Sequence, residues 1–405
     1  MQERELYTKI WRELSAEKSM VLMVGPRQVG KTTLAKMISS SYPNHLYFNW
    51  DIPKDRVKLF ENPDFFTELN RRDESIPLVV FDELHKYTDW KNYLKGVFDQ
   101  HHTRYRFMVT GSGRMDIYHK GGDSLAGRYL LFHLWPFTQT ELCNQSRPLE
   151  NFLHDPLSLS MSEFKRNQEL WRRKASLSGF PEPYLSGRKA SYRRWSNTYT
   201  NQILREDIRD LTAVRNLGHL ETLYHLLPSR VGSPLSIPSL ARDLKISYNS
   251  VRSWLDILER FFMIFSVPTW TKKISRAIQK ERKVYLLDTP RIDDAGARFE
   301  NMVALELKCA TTRLNDLGLG DFSVHFIKNK QQQEVDFLLT ERDQPLVLIE
   351  AKRKDEATSA ALLRFQAELG IPAVQLVEEM DSFRILDNGP GVLIAPACQW
   401  LAQLP

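Results

Sequence analysis

The residues most suited to chemistry form one short run near the start of the chain. They are Gly25, Pro26, Arg27, Gln28, Val29, Gly30, Lys31, Thr32 and Thr33. The run completes the pattern G-x-x-x-x-G-K-[ST] directly after an apolar segment, and backbone N–H groups of such a loop bind phosphate. We expect Lys31 to reach the β- and γ-phosphates and Thr32 to hold Mg²⁺ through its hydroxyl. The sequence therefore predicts a site for ATP or GTP.

A second group of candidate residues follows the apolar run at positions 78–81. Asp82 and Glu83 come directly after it. Hydrolysis of a nucleoside triphosphate needs one carboxylate for the Mg²⁺ shell and a group that orients water. We assign the first role to Asp82 and the second to Glu83. The simpler alternative is a strand that ends in two solvated acids.

Polar and basic residues after the next predicted strand could complete this site. Thr110 and Ser112 could orient the attacking water, and Arg114 or Arg128 could serve a neighbouring subunit as an arginine finger. A finger that acts in trans predicts a homo-oligomer. A polar strand end and solvated arginines are the plainer interpretations.

The C-terminal part contains a second set of acids, on predicted strands. Asp336 lies on one predicted strand, and Glu350 and Lys352 end the next one. Metal-dependent nucleases hold Mg²⁺ between two such carboxylates and use a lysine to stabilise charge. Glu300, on a predicted upstream helix, could complete the metal site. The E-x-K triplet also occurs at Glu163–Lys165, Glu281–Lys283 and Glu306–Lys308, but only the copy at 350 ends an apolar strand. A degenerate fold used only for binding is the alternative.

The elements that must position these residues follow from periodicity. Residues 1–140 alternate short apolar strands with helices, which predicts a parallel sheet covered on both faces. Residues 141–235 form a helical, arginine-rich segment. Residues 236–295 contain a helix at Ile237–Leu244, a turn, a helix at Tyr248–Phe262 and a β-wing. Residues 296–405 begin with a helix at Arg298–Cys309, and strands at 323–327, 334–339 and 346–349 and a helix at 356–369 follow.

Two surfaces could contact DNA. A winged helix places its second helix in the major groove. That helix would expose Tyr248, Asn249, Arg252, Ser253 and Asp256. The basic run Thr271–Lys283 would contact phosphates from the wing. Arg188–Trp195 is a second, weaker candidate. The alternative for the winged helix is a packing role without DNA.

Several of these motifs together resemble one family. They are Gly25–Thr33, Phe81–His85, Thr110–Ser112, Leu125–Arg128, Pro136-Phe137 with Glu141, and Gly179–Glu182. They are similar to prokaryotic AAA-type ATPases fused to the domain of unknown function number 4143. The resemblance and the residue patterns together predict an α/β fold with a P-loop NTPase core, a helical lid, a winged helix-turn-helix and an α/β domain that resembles the PD-(D/E)XK restriction nucleases. Val335 stands where that nuclease motif has proline.

Composition limits the remaining choices. The net charge of +6 permits a nucleic-acid partner, and no apolar run approaches the ~18 residues that span a bilayer. Three cysteines without paired spacing and an N-terminus without signal-peptide character favour the cytoplasm and exclude a membrane partner. The leading hypothesis is an ATP- and Mg²⁺-dependent ATPase that acts on or near DNA. The alternatives are a nucleotide-gated switch for a protein partner and an ATP-licensed nuclease.

Overall fold

The computed structural model describes residues 4–111, 125–211, 216–271, 281–354, 357–387 and 389–405. The chain divides into two compact units, Met1–Trp135 and Pro136–Pro405. The segments predicted as lid, winged helix and nuclease-like domain all lie in the second unit.

The first unit alternates helices and strands. Its helices are α1 (Glu5–Glu17), α2 (Lys31–Ser40), α3 (Pro53–Glu61) and α4 (Trp90–His101). Its strands are β1 (Met20–Val24), β2 (His45–Asn49), β3 (Leu78–Asp82), β4 (Arg106–Thr110) and β5 (Leu130–His133). All neighbouring strands pair in parallel, in the order β2-β3-β4-β1-β5. The predicted parallel α/β sheet is confirmed, and it is the sheet of a P-loop NTPase.

Burial on both faces explains why apolar and polar residues do not alternate along these strands. Every residue of β1 and of β3 is buried, because apolar side chains cover both faces of the sheet. Phe48, Phe66, Phe81 and Phe107 form an aromatic core on one face. This core fixes the carboxyl ends of β1, β3 and β4 side by side, where the candidate site lies.

The second unit begins with helices. They are α5 (Gln139–Cys143), α6 (Leu149–His154), α7 (Phe164–Leu177), α8 (Pro181–Ser186), α9 (Lys189–Asn201), α10 (Ile208–Leu211) and α11 (Leu217–Leu226). A π-helical segment, Gln202–Asp207, connects α9 to α10. The predicted helical character of this segment is therefore correct.

The helix-turn-helix pattern gives two helices and a hairpin. Helix α12 spans Ile237–Leu244 and α13 spans Tyr248–Arg260, and Ser247 caps α13 by accepting a hydrogen bond from the Ser250 amide at 3.1 Å. Strands β6 (Ile264–Pro268) and β7 (Arg282–Leu286) pair antiparallel. Most of the predicted wing, residues 272–280, lies outside the described residues.

The C-terminal part forms a mixed sheet next to a long helix, α14 (Ala295–Asp316). The remaining elements are β8 (Phe322–Lys328), β9 (Glu334–Glu341), β10 (Gln344–Lys354), α15 (Ala360–Leu369), β11 (Ala373–Glu379), β12 (Arg384–Leu386), β13 (Val392–Pro396) and α16 (Ala397–Trp400). The strand order is β12-β13-β11-β10-β9-β8. One expectation is corrected here: β10 continues to Lys354, so Glu350 and Lys352 lie within a strand rather than after its end.

Two bulk features agree with the sequence. All three cysteines are described, and each is buried and unpaired. Within the described part of the chain, no helix combines the length and the apolar character that crossing a bilayer requires.

Candidate nucleotide site and C-terminal acid cluster

The phosphate loop joins β1 to α2 through two essential glycines. Gly30, the N-cap of α2, has φ +97°, a conformation that glycine adopts without strain. Gly25 packs so closely against the main chain of Leu134 that any Cβ would overlap the Leu134 carbonyl oxygen. The loop is therefore a tight cradle whose shape depends on glycine at both positions.

Lys31, the first residue of α2, is folded into this cradle. Its ammonium donates to the carbonyl oxygens of Gly25, at 3.0 Å, and Pro26, at 2.7 Å, and the residue is buried. An ammonium held by loop carbonyls beside a helix N-terminus is placed to meet an anion that enters the loop.

Asp82 ends β3 and is the acceptor at the centre of the site. It is fully buried, and the Thr32 hydroxyl donates to its Oδ2 at 2.7 Å. Thr110, which lies beside Asp82 in the β3–β4 register, donates to Oδ1, and the Tyr47 hydroxyl donates to Oδ2. Three hydroxyl groups from three elements therefore fix the orientation of one carboxylate.

Tyr47, on β2, is a site residue that the sequence analysis missed. Burial, followed by the hydrogen bond to Asp82, raises the pKa of its phenol well above the ordinary value, so the hydroxyl remains a donor. The Lys36 ammonium lies 5.2 Å from the centre of its ring. Side chains alternate between the two faces along β2, so the sequence could place Tyr47 on one face of the strand. Only the strand order, with β2 beside β3, shows that Tyr47 can reach Asp82.

Glu83, the predicted base, sits in a left-handed backbone conformation with φ +58°. This turn directs the chain away from β3 immediately after Asp82. The Glu83 carboxylate lies 3.2 Å from the Lys86 ammonium and 3.9 Å from His85 Nε2. Lys86 in turn contacts Asp51 at 2.6 Å. Glu83 is thus near Asp82 but is held in an ion pair.

Arg4 connects the phosphate loop to the segment that follows the last strand of this sheet. Its guanidinium donates to the Val29 carbonyl at 3.0 Å and to the Trp135 carbonyl at 2.7 Å, and it stacks 4.5 Å above the Tyr7 ring. Trp135 also donates its amide to the Tyr7 hydroxyl at 3.3 Å. This buried arginine was not predicted, because nothing in its sequence context distinguishes it from a solvated one.

The remaining predicted catalytic residues are placed as follows. Ser112 and Arg114 lie outside the described residues. Arg128 forms a two-pronged contact with Asp99 of α4, with Nε at 2.7 Å and Nη2 at 3.1 Å from the two carboxylate oxygens. This contact lowers the pKa of Asp99. Arg128 is therefore engaged with its own chain, and a finger role remains a prediction.

The donor set fits a nucleotide with Mg²⁺. The backbone of the Gly25–Gly30 loop and the Lys31 ammonium suit phosphate oxygens, while a hydroxyl beside a carboxylate suits a hard cation that prefers oxygen ligands. Gly25 to Thr33 would hold the phosphates, and Thr32 and Asp82 would hold Mg²⁺.

The C-terminal acids converge on a lysine that was not predicted as a site residue. Lys283, on β7, is fully buried, and its ammonium lies 2.7 Å from Glu334, 3.1 Å from Glu300 and 3.5 Å from Asp336. Burial alone would lower the pKa of Lys283, but the three carboxylates outweigh it and raise the pKa. Burial and the nearby Asp336 raise the pKa of Glu300 to about 7. Three acids around one cation explain why one of them tends to keep its proton.

Glu350 and Lys352 pair with each other, with 2.9 Å between Oε1 and the ammonium, and the Ser359 hydroxyl donates to Glu350 Oε2 at 2.6 Å. Asp336 Oδ2 accepts the Ala351 amide at 3.0 Å. The predicted acids therefore lie on neighbouring elements, but over the residues that the structure covers no group of three or more His, Cys, Asp or Glu side chains is arranged to hold a metal ion.

Lys283 was counted in the sequence analysis only as one basic residue of the wing. Its triplet with Glu281 served there as an example of a chance E-x-K. Because successive side chains of a strand point to opposite faces, the sequence could have shown that Arg282 and Lys283 lie on different faces of the predicted strand. The sequence cannot say which face meets three carboxylates from elements 17 to 53 residues away.

The two candidate DNA surfaces differ in exposure. On α13, Tyr248, Asn249, Arg252 and Ser253 are exposed, whereas Asp256 is half-buried beside Arg282. Val251, Leu255, Leu258 and Phe262 form the buried side, as predicted.

The weaker surface is corrected in part. On α9, Arg193 and Arg194 are exposed, but Trp195 is buried and stacks on Tyr199 with ring centres 4.8 Å apart. Tyr192 is half-buried and reaches Asp288. These aromatic rings belong to the interior and do not offer a stacking surface for bases.

Models of known families match three parts of the chain. A model described as "AAA domain" matches residues 17–143, and one described as "Domain of unknown function (DUF4143)" matches residues 295–396. The chain carries an AAA-type P-loop domain followed by a DUF4143 domain. The resemblance derived from the motifs is thus confirmed. Between these two domains, a further domain of unknown function, DUF8612, matches residues 168–290.

Curated relatives of this AAA–DUF4143 chain carry no functional description. Uncharacterized proteins of Mycobacterium tuberculosis and Mycobacterium bovis are each 24% identical over 270 residues, covering 67% of this chain and 54% of the relative. An uncharacterized protein of Methanocaldococcus jannaschii is 24% identical over 328 residues, covering 72% of this chain and 68% of the relative. The chain spans about half the length of the two mycobacterial relatives.

Solved structures match the chain only distantly. A Walker-type ATPase of Pyrococcus abyssi matches with a TM-score of 0.42 and 16% identity, covering 72% of this chain and 95% of that chain. Cdc6p from Pyrobaculum aerophilum matches with a TM-score of 0.29 and 11% identity, covering 75% and 93%. All these scores are below 0.5, so the fold assignment depends on the strand order and the family models.

Proposed function

We propose that the protein binds and hydrolyses ATP with Mg²⁺ and uses the cycle to act on or near DNA. The observation that carries the first part is Asp82: its carboxylate accepts the Thr32 hydroxyl of the phosphate loop, and Thr110 and Tyr47 orient it. Such an arrangement is expected where a metal–phosphate complex is held and turned over.

Each residue then has a defined task. Lys31 leaves the Gly25 and Pro26 carbonyls and pairs with the terminal phosphate oxygens. Glu83 accepts the proton of the attacking water, which requires its ion pair with Lys86 to open. When bound, Mg²⁺ neutralises phosphate charge. Ser112 would help to orient the water, and Arg128 would act as the finger.

Two substitutions test the site. Lys31→Ala should abolish nucleotide binding, measured with a fluorescent ATP analogue. Glu83→Gln should keep binding but lower turnover by at least about 100-fold, since general base catalysis contributes roughly 10²–10⁴-fold. Wild-type turnover in Lys31→Ala would refute the assignment, and normal hydrolysis by Glu83→Gln would place the base elsewhere.

DNA as a partner is supported by the exposed polar face of α13. We propose that Tyr248, Asn249, Arg252 and Ser253 contact DNA there. The test is the ATPase rate with and without single- and double-stranded DNA, together with DNA affinity as a function of salt. Arg252→Ala should lower the log–log salt slope by about 1, while Arg166→Ala, an exposed arginine of α7, should leave it unchanged.

A second candidate function is a nucleotide-gated switch for a protein partner. The observation that favours it is the C-terminal acid cluster, in which Lys283 stands among the predicted metal ligands. In that case the second unit is a scaffold, and the protein shows no DNA retention even at low salt and no stimulation by DNA.

A further inference from the structure

The acids predicted to bind a metal surround a side chain that already carries positive charge. The Lys283 ammonium has no solvent exposure and lies within 3.5 Å of carboxylate oxygens of Glu300, Glu334 and Asp336. Its fourth neighbour is the Phe326 ring, whose centre is 5.5 Å away. Carboxylates together with the face of an aromatic ring suit an organic ammonium group.

Six of the eight carboxylate oxygens of Glu300, Glu334, Asp336 and Glu350 already have a partner. Glu300 Oε1 accepts from Lys283 and from the Tyr285 hydroxyl at 2.8 Å. Both oxygens of Asp336 have partners, Lys283 on Oδ1 and the Ala351 amide on Oδ2. Glu350 has Lys352 on one oxygen and Ser359 on the other.

The chemistry of this set does not fit Mg²⁺. Mg²⁺ demands near-octahedral oxygens at about 2.0–2.1 Å and usually keeps several waters. Here the point where Glu300, Glu334 and Asp336 converge is filled by an ammonium on a side chain of the fold, without exposure to water. A divalent ion would have to expel Lys283 and leave its charge buried elsewhere, which is costly.

We propose that Lys283 is the resident cation of this acid cluster and that the C-terminal domain works without a divalent metal. The lysine joins β7 of the hairpin to α14 and β9, so it acts as an internal brace where a nuclease has its catalytic ion. This inference does not depend on ATP hydrolysis in the first unit.

Manganese binding tests the proposal on the full chain without nucleotide. Electron paramagnetic resonance measures the concentration of free Mn²⁺ in the presence of four proteins. They are the wild type, Asp336→Asn, Lys283→Ala and the variant that combines Lys283→Ala with Asp336→Asn. We expect the wild type and Asp336→Asn to bind the same amount. Lys283→Ala, which removes the ammonium and leaves space among three acids, should gain about one equivalent that the double variant lacks.

Two results would overturn the proposal. One is Mn²⁺ bound by the wild type and lost in Asp336→Asn, particularly if the wild type also cleaves DNA with Mg²⁺ and Asp336→Asn does not. The other is a folded Lys283→Ala variant that gains no metal. If circular dichroism shows that Lys283→Ala does not fold, the comparison of wild type with Asp336→Asn still decides.

Discussion

Asp82 shows how much of the candidate site depends on single hydroxyl groups. Its two oxygens accept from Thr32, Thr110 and Tyr47, which belong to the phosphate-loop helix and to the strands on either side of β3. A carboxylate held from three directions cannot rotate when a ligand arrives. Preorganisation of this kind is what electrostatic catalysis requires.

Tyr47→Phe removes one of these donors and keeps the ring. We expect the Mg²⁺ concentration for half-maximal ATP hydrolysis to rise about 10-fold, since a hydrogen bond to a charged group contributes about 1.5–3 kcal/mol and 1.4 kcal/mol is a factor of ten. Binding of ATP without Mg²⁺ should not change. The measurement is the ATPase rate over a Mg²⁺ titration.

Tyr93→Phe is the matched control. Tyr93 lies in the same unit but donates to the Pro63 carbonyl, at 2.8 Å, and does not contact Asp82. Its Mg²⁺ titration should follow the wild type. An unchanged or lower Mg²⁺ requirement in Tyr47→Phe would show that the hydroxyl does not position the carboxylate.

For single residues, the sequence predicts those roles that depend only on neighbours along the chain. Gly25 to Thr33 act within one loop and one helix turn, so their spacing alone identifies them. Tyr47 and Lys283 depend instead on which strand faces which, and Arg4 acts on carbonyls 25 and 131 residues away. No local pattern contains that information.

Among the elements, helices α5, α7 and α14 meet at a buried ion pair. The Lys174 ammonium of α7 contacts Glu306 Oε1 of α14, and the other oxygen of Glu306 accepts the Gln139 amide of α5 at 2.8 Å. Both side chains of the pair are at most 6% exposed. Water therefore contributes little to solvating either charge.

Lys174→Met should lower the free energy of unfolding of the second unit by about 3–5 kcal/mol, because it leaves the Glu306 carboxylate buried without a cation. Lys174→Met with Glu306→Leu should recover much of this loss. Urea denaturation followed by circular dichroism measures both. Arg166→Met, in an exposed pair on the same helix, should change the free energy by less than about 1 kcal/mol. A single variant as stable as that control would contradict the expectation.

Elements were predictable where periodicity and length agree. The predicted helix at Ile237–Leu244 matches the observed bounds, and the one predicted at Tyr248–Phe262 begins at the observed residue. Strands β11, β12 and β13 were not predicted, because short runs such as Ala373–Glu379 and Val392–Pro396 show no period that separates a buried strand from a helix. Half of the C-terminal sheet was therefore missing from the sequence analysis.

For the whole molecule, the open question is whether Arg128 acts on another copy. Its guanidinium is engaged with Asp99 of its own chain. If it also serves as a finger in trans, a mixture of Glu83→Gln and Arg128→Ala should hydrolyse ATP faster than the sum of the two separate proteins. In mixed oligomers, Glu83→Gln supplies the arginine and Arg128→Ala supplies the intact base.

Asp99→Asn separates this role from a structural one. If Arg128 only fastens α4, Asp99→Asn should reproduce the loss seen in Arg128→Ala. If it is a finger, Asp99→Asn should retain turnover, and the rate per chain should rise with protein concentration. A mixture that gives no more than the sum of its parts would argue against action in trans.

Arg4 gives the first unit one more property. A single guanidinium holds the carbonyl of Val29 in the phosphate loop and the carbonyl of Trp135, the last residue before the chain enters the second unit. Gly25 touches the preceding residue, Leu134, at the other end of the same loop. The phosphate loop and residues 134–135 are therefore joined at two points, by Arg4 and by the contact of Gly25 with Leu134. A change in the shape of the loop must consequently alter the contacts that hold residues 134–135.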